Sequence, residues 1–223
     1  MLTPDLSALW LTLKVAAWAT AVAAVVGVAC GFALARGRWP GRRLLEAVLT
    51  LPMVLPPTVL GYYLIVVLGR HAPVGRWLSE RFDINLMFTW QGAVIAASVV
   101  AFPLVFTSAR AAFEGVNANL EKAARVLGAS ELKVFLQVSL PLAMRGIAAG
   151  TMLAFARAMG EFGATLMIAG NIPGKTQTLS MAIYDAVQSG NDALANTLVV
   201  MISVLCIVIL VASSHLLTPR PDR

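Results

Sequence analysis

Residues 120–141 read LEKAARVLGASELKVFLQVSLP, a charged, amphipathic interval between long runs of apolar residues. Leu120, Ala123, Ala124 and Leu127 recur at helical spacing on one face, and Leu132, Phe135, Val138 and Leu140 repeat the pattern beyond Gly128. The spacing predicts two short helices joined at Gly128, where a glycine permits a sharp turn. Ala123 and Ala124 are small enough for the first helix to lie close against a partner, while Lys122, Arg125, Glu131 and Lys133 keep the other face wet. Such a helix suits a groove on another protein; an amphipathic segment resting on a membrane surface would show the same pattern.

The rest of the chain is far more apolar. Of its 223 residues, 59% are hydrophobic and 13% charged, and the mean hydropathy is +0.80, which excludes an ordinary soluble domain. Five apolar runs reach the ~20 residues a bilayer-crossing helix needs: Ser7 to Ala35, Leu44 to Leu68, Thr89 to Ala109, Leu140 to Ala169 and Asn196 to Leu217. The first run has no basic residue before Lys14 and exceeds the apolar core of a signal peptide, so it reads as a retained transmembrane helix.

The net charge of +6 does not point to nucleic acid, because the cations sit in short loops beside apolar runs and there set membrane orientation. Arg36, Arg38, Arg42 and Arg43 crowd the first turn, which is assigned to the cytoplasm. Alternation then brings Arg110, Lys122, Arg125, Lys133, Arg220 and Arg223 inside and leaves Arg70, Arg76, Arg81 and Lys175 outside. The N-terminus is expected outside and the C-terminus in the cytoplasm. Cys30 and Cys206 lie in apolar runs without metal-ligand spacing, and His71 and His215 sit near run ends as surface histidines. No metal site is expected.

Two stretches carry unusual chemistry for a membrane. LPMVLPPTVLGYYL, residues 51–64, sets Pro52, Pro56 and Pro57 inside one apolar run, with Thr58 as the hydroxyl near its middle. The prolines remove backbone hydrogen bonds and force a kink or break, which belongs against a cavity or in the bundle interior; a helix merely bent to fit its neighbours is the alternative. In the fourth run Arg157 and Glu161 stand four residues apart on one helical face. Either ion alone at the bilayer centre costs about 2.5 to 3.5 kcal/mol, so they are expected to neutralise each other. They either line or gate a pathway or fasten two helices. Gly160 and Gly163 flank the pair and permit a break.

Ala123, Ala124, Gly128, Val138, Leu140 and Pro141 stand in the register EAA-x3-G-x9-I-x-LP. In this the chain resembles the inner-membrane permeases of ABC importers, with Lys122 at the usual Glu position, Glu121 one place earlier and Val138 for Ile. ARAMGEFGA at Ala156–Ala164, AGNIPGKTQTL at Ala169–Leu179 and the proline-rich run resemble the molybdate branch of that family, although sulfate and thiosulfate permeases share much of the GEFGA region.

The resemblance implies an all-α type I ABC importer permease fold, a single transmembrane domain over 1–223 with about five membrane helices and a cytoplasmic coupling loop at 110–140. It implies ATPase contact through Glu121, Ala123, Ala124, Leu127, Gly128, Ala129 and Phe135, and the proline break and intramembrane ions themselves mark Pro56, Pro57, Thr58, Arg157 and Glu161 as the expected translocation path or gate. The implied partners are a second copy, ABC ATPase subunits, an external oxyanion-binding protein that also meets the outer loops, and membrane lipid. The setting implied is the bacterial inner membrane.

Other functional classes fit the residues less well. An intramembrane protease needs a Ser/His or paired-Asp constellation, yet no His lies well inside a run and Glu161 is the acidic residue near a run's middle. A secondary transporter usually has more spans and an internal repeat. The chain lacks the glycine-rich P-loop, so it is expected to be no enzyme and to carry no cofactor, with ATP and Mg held by the partner. The resemblance implies an ATP-driven importer of molybdate, with tungstate or sulfate/thiosulfate as the alternative cargo and selectivity expected mostly in the external protein.

Overall fold

The computed structural model describes residues 6–37 and 39–217. Arg38, Arg220, Arg223 and the His215 side chain lie outside what it describes. In chain order the helices are α1 (Leu6–Arg36), α2 (Arg42–Val54), α3 (Pro57–Leu68), α4 (Pro73–Phe82), α5 (Trp90–Glu114), α6 (Ala118–Val126), α7 (Glu131–Val134), a π-helical turn (Phe135–Ser139), α8 (Leu140–Met159), α9 (Gly163–Ala169), α10 (Leu179–Gln188) and α11 (Asp192–Leu217). Among the described residues four continuous helices are long and apolar enough to cross a membrane, and five spans result if the bent pair α2–α3 is taken as one.

Helix α5 is the central post. Ala93, Ala97 and Ala101 are fully buried against Ala16, Ala19 and Ala23 of α1 and Ala154 and Ala158 of α8. With no hydrophobic drive between helices in lipid, small residues hold such a seam by letting backbones approach. Gly31 shows how close: a Cβ added there would lie 2.9 Å from the Arg110 backbone nitrogen. Outward-facing Val25, Val54, Val200 and Ile207 are exposed, an apolar exterior suited to lipid or another membrane subunit.

Two boundaries differ from the sequence reading. The fourth span runs from Glu131 to Met159 rather than from Leu140 to Ala169. The second short helix expected after Gly128 is therefore the first turn of this span, joined to α8 through the π turn. Its far end stops at Gly160, and α9 starts afresh at Gly163. The interval 110–140 likewise contracts to a connector carrying α6, because α5 continues to Glu114 and helix resumes at Glu131.

The polar groups segregate to the bundle ends. At one end Arg42 pairs with Glu114 at 2.6 Å, Arg110 with Glu114 at 3.0 Å and with Glu46, and Arg36 with Glu121. At the other, the Leu179 N–H donates to the buried Thr12 hydroxyl at 2.8 Å and the Phe88 N–H to the Ile168 carbonyl at 2.9 Å.

Gly31→Val is expected to lower stability by about 1 to 3 kcal/mol, because overpacking a backbone contact forces the helices apart. Thermal unfolding of the purified protein in detergent measures it, with the exposed Val25→Ala as the near-neutral control.

Candidate functional site

The second span breaks where two residues in a row precede a proline. Such residues are pushed out of the helical region, and Leu55 and Pro56 accordingly take ψ 142 and ψ 138. Pro57 then opens α3 at a position where its missing N–H costs nothing. The two helices meet at 114°. Pro52, by contrast, stays inside α2, so the break belongs to the proline pair.

The fourth span breaks beside it. A Cβ on Gly163 would lie 2.9 Å from the Pro57 Cβ and 3.5 Å from the Thr58 nitrogen, and one on Gly61 would lie 2.6 Å from the Met167 Cβ. Only glycine allows α3 and α9 to meet this closely. The structure thus brings Pro56, Pro57, Thr58, Arg157 and Glu161 together around one pair of interruptions.

Glu161 holds the second interruption closed. Its side chain is 2% exposed; Oε1 accepts the Ala164 N–H of α9 at 3.0 Å, and Oε2 pairs with Arg157 Nη1 at 2.9 Å. Arg157 is 38% exposed and is the one charged residue lining a cavity of about 270 Å³ between α2, α3 and α5, bounded by Pro52, Leu55, Pro57 and Leu104. The carboxylate is spent on the chain itself, whereas the guanidinium borders open space. Next to the break, the Phe162 ring packs on Tyr184 of α10 at 5.2 Å.

Helix α6 begins at Asn117, whose side chain accepts the Asn119 N–H at 2.9 Å. It ends in paired reversed bonds, Gly128 N–H to the Arg125 carbonyl and Ala129 N–H to the Ala124 carbonyl, both 3.0 Å. This termination places the residue after the cap in the left-handed region, and Gly128 has φ +83. Arg125 grips Glu131 across the turn at 2.6 and 3.1 Å, a hydrogen-bonded contact that raises the guanidinium pKa. Leu127 is 86% exposed, the adjoining Val126 87%, and Ala123 and Gly128 are exposed, with Ala124 and Ala129 half-buried.

Two residues expected at the docking face turn inward. Glu121 is buried against Arg36 and accepts the Ser139 hydroxyl at 2.6 Å. Phe135 packs on Phe32 at 4.6 Å and near Phe113 at 6.1 Å, inside the bundle. The apolar spacing of α6 did not reveal this, because its buried residue is charged. Arg36 and Ser139 escaped notice as well: the first reads as an orientation signal and the second as an ordinary polar residue before Leu140-Pro141. Among the described residues no group of His, Cys, Asp and Glu stands together as a metal site.

The family described as "Binding-protein-dependent transport system inner membrane component" matches residues 23–222. The chain belongs to this family. This permease is 43% identical to the molybdenum transport system permease protein ModB of Escherichia coli K12 over 211 residues, covering 94% of this chain and 92% of that protein. It is 47% identical to the putative molybdenum transport system permease protein YvgM of Bacillus subtilis, with 90% and 88% covered. The sulfate transport system permease protein CysW of Synechocystis is 35% identical, with 92% and 74% covered.

Solved structures share the fold at low identity. An inward-facing form of the MetNI methionine ABC transporter gives TM-score 0.74 at 20% identity, covering 96% of the permease and 94% of that chain. A bacterial alginate ABC transporter, solved in complex with an alginate pentasaccharide-bound periplasmic protein, gives 0.77 at 17%, covering 96% and 78%.

Arg157→Met should destabilise the permease more than Arg157→Met with Glu161→Gln, because the single change strands a buried carboxylate. A double-mutant cycle on unfolding in detergent should return a coupling of about 1 kcal/mol or more, and additive losses would exclude direct interaction.

Proposed function

We propose that this permease is the membrane subunit of an ATP-driven importer of molybdate, working as two copies with two separate ATPase subunits and an external binding protein. The observation that carries this reading is the 43% identity to the Escherichia coli molybdenum permease across 94% of the chain. ATP and Mg belong to the ATPase in this reading, and the membrane domain spans 1–223. Five spans are too few to enclose a path comfortably, which favours a pore on a two-fold axis.

In the proposed orientation the ion-paired end and α6 face the cytoplasm and the N-terminus lies outside. The bias of Arg36, Arg42, Arg43, Arg110 and Arg125 toward that end supports it. Val126, Leu127 and the Gly128 turn form the knob that enters a cleft of the ATPase, with Ala123 and Ala124 beside it. Closure of the ATPases around ATP draws the two knobs together, and the interrupted spans open outward; hydrolysis reverses the motion. Arg157 offers the tetrahedral dianion a passing electrostatic contact at the interruption, weak enough to permit release. The outer segments around α4 and α10 meet the binding protein.

Sulfate is the runner-up cargo, favoured by the 35% identity to the Synechocystis sulfate permease. Competitive uptake by proteoliposomes holding the whole complex decides between them. ATP-dependent molybdate uptake resistant to excess sulfate is expected, and preference for sulfate would replace molybdate in the assignment. Gly128→Val forces a branched residue to φ +83, a strain of about 1 to 3 kcal/mol, so uptake should fall at least about tenfold while the membrane domain still folds and purifies in detergent. Normal uptake by that variant would remove the docking role of the turn.

A further inference from the structure

We infer that Glu121 is a positioning residue, the joint through which movement of α6 reaches both α1 and α8. The inference rests on the reading that α6 docks on the ATPase. Glu121 is the buried residue of α6, and it is a carboxylate where a helix packed on a bundle would ordinarily bury an apolar side chain. Its Oε1 receives Arg36 Nη2 from the end of α1 and, at 2.6 Å, the Ser139 hydroxyl from the start of the fourth span. Apart from these bonds, α6 touches mainly α7 and the π turn. Helix α6 is therefore held by polar contacts and not by an apolar seam: the exposed Arg125–Glu131 pair ties it to α7, and Glu121 is its buried joint to α1 and Ser139.

The π turn belongs to the same device. It closes on Ser139, which is 1% exposed; a π turn adds a residue to the helical register and so re-aims the side chains around it, a distortion frequent at functional sites. The Arg36 side chain is partly exposed, but its Nε is buried without a hydrogen-bond partner among the described residues, so the guanidinium's interior edge relies on the buried Glu121 carboxylate. A directional charge-assisted bond resists being pulled apart and transmits displacement along its axis, which a greasy contact able to slip does not.

Proteoliposomes holding the complete importer test this through molybdate taken up per ATP hydrolysed. Glu121→Gln should lower that ratio about tenfold, the size of an ordinary coupling between sites, with the ATPase subunits still co-purifying and still hydrolysing ATP. Ser139→Ala, which leaves the ion pair intact, should lower it less, and the exchange Arg36→Glu with Glu121→Arg should recover part of it. An unchanged ratio in Glu121→Gln overturns the inference, as does loss of uptake and hydrolysis in proportion or release of the ATPase, since either would make Glu121 a support for docking. Failure of the docking reading itself looks different: the Gly128 variant then transports normally.

Discussion

A backbone group left unpaired in lipid costs several kcal/mol, and this constraint orders the membrane half of the molecule. The chain interrupts its helices at Leu55–Pro56 and at Gly160–Phe162, and it sets the two interruptions against each other. Prolines remove donors at the first; the Glu161 carboxylate takes up the Ala164 N–H at the second. Gly163 and Gly61 let α9 pack closely on α3 at Pro57 and Met167, while Pro56, Pro57 and Thr58 keep an exposed side. Neither break would be tolerable facing hydrocarbon, so each explains the other's position. The cavity beside Arg157 follows from the same arrangement, since a 114° bend cannot be filled by a straight neighbour.

Much of this was legible in the sequence because it is written in local chemistry. Apolar runs of bilayer length, a proline doublet, and an arginine four residues before a glutamate each dictate a local outcome, and the helices, the break and the ion pair correspond. The turn at Gly128 was legible for the same reason. What stayed hidden depends on distance in space. Glu121 and Arg36 are far apart in sequence, and a lone carboxylate on an amphipathic helix reads as solvated until the bundle is seen to close over it. The fourth span was misplaced because apolarity continues from Leu140 to Ala169 while the helix does not. Gly160 and Gly163 permitted a break, yet only the Glu161 cap and the contact with α3 select it over a continuous helix.

The seam around α5 explains why the ends can differ so much from the middle. Ala93, Ala97 and Ala101 meet alanines of α1 and α8, and a Cβ on Gly146 or Gly150 would come within 2.7 or 2.3 Å of Ala112 or Ser108. Small side chains leave few ridges to interlock, so helices can approach closely while keeping a surface along which they shift by small amounts. Rigid hydrogen-bonded joints then matter most where the seam stops.

Helix α8 is the element that joins the two ends. The residue before it, Ser139, bonds Glu121, and its last turn presents Arg157 to Glu161 and to the cavity. Its twenty residues span about 30 Å at the helical rise, the thickness of a bilayer core. Pro141 lies within the continuous span from Glu131 to Met159, directly after the π turn, where its missing N–H and the extra residue of that turn fall together. The interruption at its far end is bridged by the Arg157–Glu161 pair and the bond from the Ala164 N–H to Glu161, and is backed by the packing of α9 on α3.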